Sequence, residues 1–167
     1  MLYENFISNE EQENLRDWAY KEECRLRPNG NGLGRFFNQV TNLAKNELVY
    51  TIKDRIIKKF NLYGWEDDPA LGDWLGMQKD GAYINFHTDK LPIGEHHRFN
   101  VLIQLPHEGG MNVYNGKELV VKERMLINYR PDLYEHGTTK VVGNRPRINL
   151  SFGFASEVSK YQPKFSM

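Results

Sequence analysis

The chain is poor in cysteine, in net charge and in long apolar runs. Its single cysteine, Cys24, has no partner for an internal disulfide and belongs to no pair at zinc-knuckle spacing. It reads as a free thiol in a reducing compartment. Lys plus Arg and Asp plus Glu each total 22, so the formal net charge is zero. A neutral chain has no long-range field to draw it to nucleic acid or to an anionic membrane. No stretch approaches the roughly 20 apolar residues of a membrane span. The opening Met1-Leu2-Tyr3-Glu4-Asn5 lacks the basic start and apolar run of a signal peptide. The expectation is a cytoplasmic protein with no membrane partner, and with nucleic acid disfavoured as a partner. Repeats, low-complexity tracts and long linkers are also missing.

What is present is enough for one compact domain. The 167 residues are 40% hydrophobic and 13% aromatic, well away from disordered composition. A single domain over 1–167 is expected, with helical support over about residues 8–62 and a β-core over about 73–155. Ser8-Asn9-Glu10-Glu11 fits a capping box and predicts a helix carrying Leu15, Trp18 and Ala19 inward. Pro28-Asn29-Gly30-Asn31-Gly32-Leu33-Gly34 reads as a loop. Leu48, Ile52, Ile56 and Phe60 then recur every four residues, with Val49 and Ile57 beside them, as in a helix buttressing a sheet. Lys58 and Lys59 fall in its last turn, where cations suit the helix dipole.

From about Asp73 the pattern changes to short strands. The candidates are Trp74–Gln78, Ala82–Phe86, Phe99–Leu105, Met111–Tyr114, Glu118–Val121, Met125–Asn128, Glu135–Val142 and Arg147–Phe154. Asp80-Gly81 and Asn115-Gly116 suit tight hairpins, and Asn144-Arg145-Pro146 marks another break. Helices first and many short strands after predict a mostly β protein, a sandwich or open barrel with N-terminal helices on one outer face.

Chemistry concentrates at the end of one strand. Side chains alternate along a strand, so Tyr83, Asn85, His87 and Asp89 are expected on one face. His136 lies on a later predicted strand and brings a second imidazole. Two His and one carboxylate can hold iron(II) on one face and leave three positions open, two for a bidentate 2-oxo acid and one for O₂. Arg147, on the next predicted strand, can grip a distal carboxylate through parallel hydrogen bonds. Asn149 and Ser151 share its face, and Ser151 could add a hydroxyl to the same carboxylate. A lone His-x-Asp is common by chance and reads as an ordinary turn; the conjunction with His136-Gly137 and Arg147 is what carries weight.

The segment Trp74 to Phe154, about half the chain, resembles the catalytic barrel of the 2-oxoglutarate/iron(II) dioxygenase superfamily. Within it the likeness is to the small prolyl 4-hydroxylase-like oxygenases. It rests on Gly81-Ala82-Tyr83-Ile84-Asn85-Phe86-His87-Thr88-Asp89, on Arg98-Phe99-Asn100-Val101-Leu102-Ile103-Gln104-Leu105 and on Glu108-Gly109-Gly110-Met111-Asn112-Val113-Tyr114. His136-Gly137, Gly143-Asn144-Arg145-Pro146-Arg147 and the opening Asn5-Phe6-Ile7-Ser8 complete it.

The resemblance implies a double-stranded β-helix (jelly roll) flanked by two or three α-helices. It also implies oxidative decarboxylation of 2-oxoglutarate to succinate and CO₂ coupled to hydroxylation, with ascorbate as an auxiliary reductant. His87, Asp89 and His136 match the iron ligands and Arg147 the distal-carboxylate anchor. Tyr83 and Asn100 sit where such enzymes place polar contacts to the co-substrate. On residue chemistry alone, Tyr83 could equally be a core aromatic, and Asn100 could bond neighbouring backbone.

The run Arg147-Ile148-Asn149-Leu150-Ser151-Phe152-Gly153 is similar to that of the repair dioxygenases that demethylate nucleic acids, but they place a second arginine where Gly153 stands. Asp89 sets the chain apart from the related halogenases, which replace that carboxylate. His96, His97 and His107 are expected in loops facing solvent. The Arg25–Arg35 stretch is expected to be a lid over the site, or else a solvated loop. The expected substrate is a peptide or protein side chain such as proline, or a free amino acid. The alternatives are an oxidative demethylase of nucleic acid and a non-enzymatic metal-binding jelly-roll module. Oligomeric state leaves no mark on the sequence.

Overall fold

A computed structural model describes residues 1–30, 34–90 and 94–156. The helical half forms for reasons visible in its caps. Ser8 Oγ accepts from the Glu11 amide at 3.1 Å while the Glu11 carboxylate accepts from the Ser8 amide at 2.9 Å, which starts helix α1, Asn9–Lys21. Asn46 caps α2, Glu47–Phe60, and Asn61 ends it in the left-handed conformation at φ 52°. Arg55 of α2 donates to both Glu11 oxygens, at 3.1 and 2.6 Å, and ties the two helices together. That bond holds the Glu11 carboxyl below its usual range.

Fourteen strands follow along the described chain. They are β1 (Leu2–Tyr3), β2 (Arg27–Pro28), β3 (Arg35–Gln39), β4 (Glu66–Asp67), β5 (Trp74–Gln78), β6 (Ile84–His87) and β7 (His96–Gln104), then β8 (Glu108–Gly109), β9 (Asn112–Tyr114), β10 (Lys117–Glu118), β11 (Leu126–Tyr129), β12 (His136–Thr138), β13 (Val141–Val142) and β14 (Arg147–Ala155). The major sheet runs β1-β11-β7-β14-β5-β3-β2, with β4 also paired to β14. The minor sheet runs β10-β9-β12-β6, and β8 pairs with β13. All pairings in the register are antiparallel, and the two sheets form a double-stranded β-helix (jelly roll) with both α-helices on one outer face. None of the described helices is long and apolar enough to cross a membrane.

The period-2 pattern of the longest strands sorts their residues between two environments. Ile148, Leu150, Phe152 and Phe154 of β14, Phe99, Val101 and Ile103 of β7, and Leu75 and Met77 of β5 join Leu15, Trp18, Val49, Ile52 and Ile56 of the helices in the main core. The intervening residues, Arg147, Asn149 and Ser151 of β14 and Arg98 and Asn100 of β7, are buried polar groups turned toward the minor sheet. The sheet is thus sealed on its helical side and polar on its inner side, where a cavity can form.

Two details depart from the sequence reading and one follows it. Asp80-Gly81 does not close a hairpin: β5 and β6 lie in different sheets, and the turn carries the chain from one to the other. Asn115-Gly116 does close one, with both residues at positive φ between Tyr114 and Lys117. Arg35, expected at the end of a lid or loop, instead begins a strand, Arg35–Gln39, that pairs with β5 and was not foreseen; of the expected loop, Asn31-Gly32-Leu33 lie outside the described residues.

Phe152 is fully buried between β14 and the helices. Phe152→Ala is expected to lower the unfolding free energy by about 3–5 kcal/mol, read from urea denaturation with an unchanged m-value. A loss under about 1 kcal/mol would mean that the helices do not seal this face.

Candidate metal centre

Strands β6 and β12 lie side by side in the minor sheet, with His87 opposite His136. The next matched pair is Ile84 with Thr138, so β6 carries one residue more than its partner and bulges. The bulge breaks strict alternation. Ile84 and His87 line the same cavity between the sheets, whereas Tyr83 turns into an outer groove with 45% of its surface exposed. Gly137 makes the bulge possible. A Cβ there would stand 2.5 Å from the Ile84 carbonyl oxygen and 2.6 Å from the Phe86 ring.

The ligand-type atoms of His87, Asp89 and His136 all lie within 4.8 Å of one another. His87 Nε2 is 3.3 Å from Asp89 Oδ1, and His136 Nε2 is 4.0 Å from the same oxygen. Each imidazole is oriented from behind. His87 Nδ1 lies 2.7 Å from the Asn85 carbonyl and His136 Nδ1 lies 3.2 Å from the Tyr134 carbonyl. A carbonyl can only accept, so both Nδ1 atoms donate, and each Nε2, on the Asp89 side, carries a lone pair whenever its ring is neutral. The Asp89 amide is anchored on the Pro131 carbonyl at 2.7 Å. Burial pushes the Asp89 carboxyl up, but the hydrogen bond with His87 and the nearby imidazoles pull it net below its usual value. His136 is held down by burial, and His87 is raised by its bond to Asp89. Two neutral nitrogens and a carboxylate, open on the cavity side, fit a divalent iron-type ion.

The cavity, about 270 Å³, runs from this triad to the inner face of the major sheet. At its far wall is Arg147, 2% exposed. Its terminal nitrogens donate to Asn149 Oδ1 at 2.8 Å and Asn112 Oδ1 at 2.9 Å, while Nε has no partner. No carboxylate pairs with it among the described residues, and burial lowers its pKa to about 10. Asn100 also lines the cavity, with an unpartnered Oδ1 and a long contact from Nδ2 to the Tyr129 hydroxyl at 3.4 Å. Ser151 does not line it; its hydroxyl is fully buried, 3.5 Å from Arg98.

Sequence reasoning placed the histidines at 96 and 97 in a solvated loop, and the structure corrects this. Strand β7 begins at His96, which is fully buried with Nε2 3.0 Å from Asp68 Oδ2. Asp68 also pairs with Arg98. His97 packs edge-on against Trp65 at 5.3 Å. His107 is exposed. Gly153 lacks a side chain because Arg98 and Asp68 fill that space: a Cβ would lie 2.6 Å from the Arg98 guanidinium carbon. Arg35, Asn112, Trp74 and Tyr129 line the cavity without having been singled out for it. Arg35 entered only as the end of the expected lid or loop, because its strand was hidden behind a glycine-rich run.

No protein-family model and no curated protein matches the chain. Solved structures do. The chain is 15% identical to a viral collagen prolyl hydroxylase from Paramecium Bursaria Chlorella virus-1 solved with 2-oxoglutarate, covering 93% of this chain and 94% of that one at a TM-score of 0.70. A prolyl hydroxylase from Trichoplax adhaerens, in complex with a hypoxia inducible factor peptide fragment, aligns over 97% and 87% at 10% identity and a TM-score of 0.75. HygX from Streptomyces hygroscopicus, with nickel, 2-oxoglutarate and hygromycin B bound, aligns over 99% and 83% at 11% identity and a TM-score of 0.67. The chain shares the jelly-roll fold of these 2-oxoglutarate/iron oxygenase structures.

The His87–Asp89 contact sets a pH dependence. Protonated Nε2 cannot bind a metal, and the raised His87 pKa means that protons compete from above the ordinary His value of about 6.5. Cobalt(II) affinity is expected to be greatest near pH 8 and, below the His87 pKa, to fall about tenfold per pH unit. Calorimetric titration at stepped pH checks this; an affinity flat down to pH 6 would remove the imidazoles from the ligand set.

Proposed function

We propose that the chain is a 2-oxoglutarate- and iron(II)-dependent dioxygenase that hydroxylates an amino-acid-derived substrate. The substrate would be a peptide or protein side chain such as proline, or a free amino acid, and the products would include succinate and CO₂. The observation that carries the reading is the pairing, in one cavity, of an oriented His87–Asp89–His136 triad with a buried arginine that has no counter-charge. A metal site alone would need no such cation. A buried guanidinium is tolerated when an anion completes its hydrogen bonds.

In this reading His87, Asp89 and His136 hold iron(II), which with 2-oxoglutarate supplies the activation of O₂ when both are bound. Arg147 holds the distal carboxylate of 2-oxoglutarate with the N–H groups that Asn149 and Asn112 leave free. Those two side-chain carbonyls fix the guanidinium plane, so its fork meets the carboxylate without further ordering. Asn100, with its unpartnered oxygen, adds a polar contact along the length of the co-substrate. The Asn85 and Tyr134 carbonyls hold the ring protons at Nδ1, so that in the neutral imidazoles Nε2 is the nitrogen left for the metal. Tyr129, whose ring centroid lies 5.2 Å from that of His136, and Trp74 wall the cavity against water. Peptide and small-molecule occupants of the structurally similar proteins support a cavity open to either size of substrate.

Anaerobic addition of iron(II) and 2-oxoglutarate is expected to produce the weak visible charge-transfer band of a chelated 2-oxo acid, absent in His87→Ala. No band in folded, iron-loaded protein would remove the oxygenase reading. Asp89→Ala is expected to abolish iron-dependent succinate formation, assayed with ascorbate present. Arg147→Ala is expected to raise the Kd for 2-oxoglutarate by about 10- to 100-fold, the loss of charge-assisted hydrogen bonds. Equal affinity in variant and wild type would show that Arg147 is not the anchor.

A further inference from the structure

Arg35 stands on β3, two strands from Arg147 on the same face of the major sheet. Both residues are in register with Gln78 of the intervening β5. Cross-strand neighbours project to the same side, so the two guanidinium-bearing positions are separated by two strand spacings, roughly 10 Å. Arg147 is at the sealed inner wall. Arg35 is half-buried at the boundary between the main cavity and an outer groove of about 190 Å³ that also touches Asn29, Tyr83, Asn85 and His87. Arg35 and His87 therefore line both the groove and the main cavity.

Arg35 makes no ion pair or side-chain hydrogen bond among the described residues, and burial lowers its pKa with no carboxylate nearby to oppose it. Of the other cations that line the cavity, the Met1 ammonium donates to the Asn128 carbonyl at 2.6 Å. Arg98 is neutralised by Asp68. On the reading above, iron(II) and Arg147 together match the negative charges of Asp89 and of dianionic 2-oxoglutarate. Among the described side chains of the loaded cavity, one positive charge therefore remains without a counter-charge, on Arg35 at the entrance.

We propose that Arg35 receives a free carboxylate of the primary substrate, so that the chain hydroxylates a free amino acid or the C-terminal residue of a peptide rather than an internal residue. This rests on the oxygenase reading and narrows its substrate class. A carboxylate suits the place better than a phosphate. One planar guanidinium matches a carboxylate through two parallel bonds, and the groove offers a phosphate dianion no second cation. Among the described residues that line the groove with it, Asn29, Tyr83, Ile84 and Asn85 bring no cation, so Arg35 is its charged side chain apart from the ligand-type His87.

The first test needs no knowledge of the substrate. In the zinc(II)–2-oxoglutarate complex the Nε resonance of Arg35, assigned by its loss in Arg35→Lys, is expected to shift and saturate as acetate is added. A resonance unmoved by acetate overturns the proposal. The second compares succinate formation with the free L-amino acids and with glycyl dipeptides, each against its C-terminal amide. Acids are expected to stimulate turnover, and amidation or Arg35→Gln to raise the concentration needed by about 10- to 100-fold. Stimulation by free amino acids alone, or by dipeptides alone, assigns the source of the carboxylate; equal stimulation by amides overturns the proposal. The charge-transfer band separates the two levels. It is expected to persist in Arg35→Gln, whereas its absence in wild type would strike the oxygenase reading itself.

Discussion

Arg147 keeps its charge where burial disfavours charge. It is 2% exposed and lacks a carboxylate partner among the described residues, yet its pKa remains about 10, so it is cationic at any physiological pH. A buried cation is stable only if hydrogen bonds replace its hydration. Asn149 and Asn112 replace part of it, and the rest of the fold is arranged so that the remaining donors meet a cavity rather than hydrocarbon. That arrangement follows from the alternation of β14. Because Ile148, Leu150, Phe152 and Phe154 take all the apolar contact with the helices, the residues between them are free to be polar. The helical layer thus contributes to the site without touching it: it seals one face of a strand whose other face carries the chemistry.

The minor sheet solves a different problem. Three ligand-type side chains must converge from two strands, and regular pairing of β6 with β12 would keep Ile84 and His87 on opposite faces. The bulge brings both to the cavity, and Gly137 gives the bulged backbone room. The His136-Gly137 pair is therefore one device with two parts, a ligand and the absence of a side chain beside it. Backbone carbonyls two residues before each histidine complete it by setting the tautomer, which side chains alone would leave open.

Much of this was legible in the chain. The capping box at Ser8, the four-residue period of α2 and the strands Trp74–Gln78 and Arg147–Ala155 followed from local chemistry, because each is dictated by neighbours in sequence. The convergence of His87, Asp89 and His136 was also inferable, from the conjunction of His-x-Asp at a strand end with His136-Gly137 and Arg147 and from the resemblance these motifs carry. What sequence could not supply depends on partners far along the chain. Tyr83 was expected beside His87 by strict alternation, which a bulge specified by Gly137 undoes. His96 looked solvated because its partner, Asp68, lies in a segment with no motif. Ser151 shares a face with Arg147, but its hydroxyl sits beside Arg98 instead.

The same distinction separates scaffold from site within one cavity wall. Arg98, Asp68 and His96 are as deeply buried as Arg147, but Asp68 pairs with Arg98 and lies 3.0 Å from His96, and Gly153 is vacant of side chain to make room for Arg98 and Asp68. Burial pushes the Asp68 carboxyl up, but its bond with His96 and the charge of Arg98 more than offset that and hold it well below the usual carboxylate range. Such a set spends the charges of Arg98 and Asp68 on each other, and the His96 ring, whose Nδ1 lacks a hydrogen-bond partner, does not line the cavity. Arg147, Asn100 and Asn149 retain donors or acceptors without partners, and all three face the cavity. Unmatched polar groups are too costly to persist by neglect, at about 1–3 kcal/mol each when nothing meets them. Their concentration on one wall, opposite a triad with its lone pairs aligned, is the mark of a surface shaped for something polar that the chain itself does not contain.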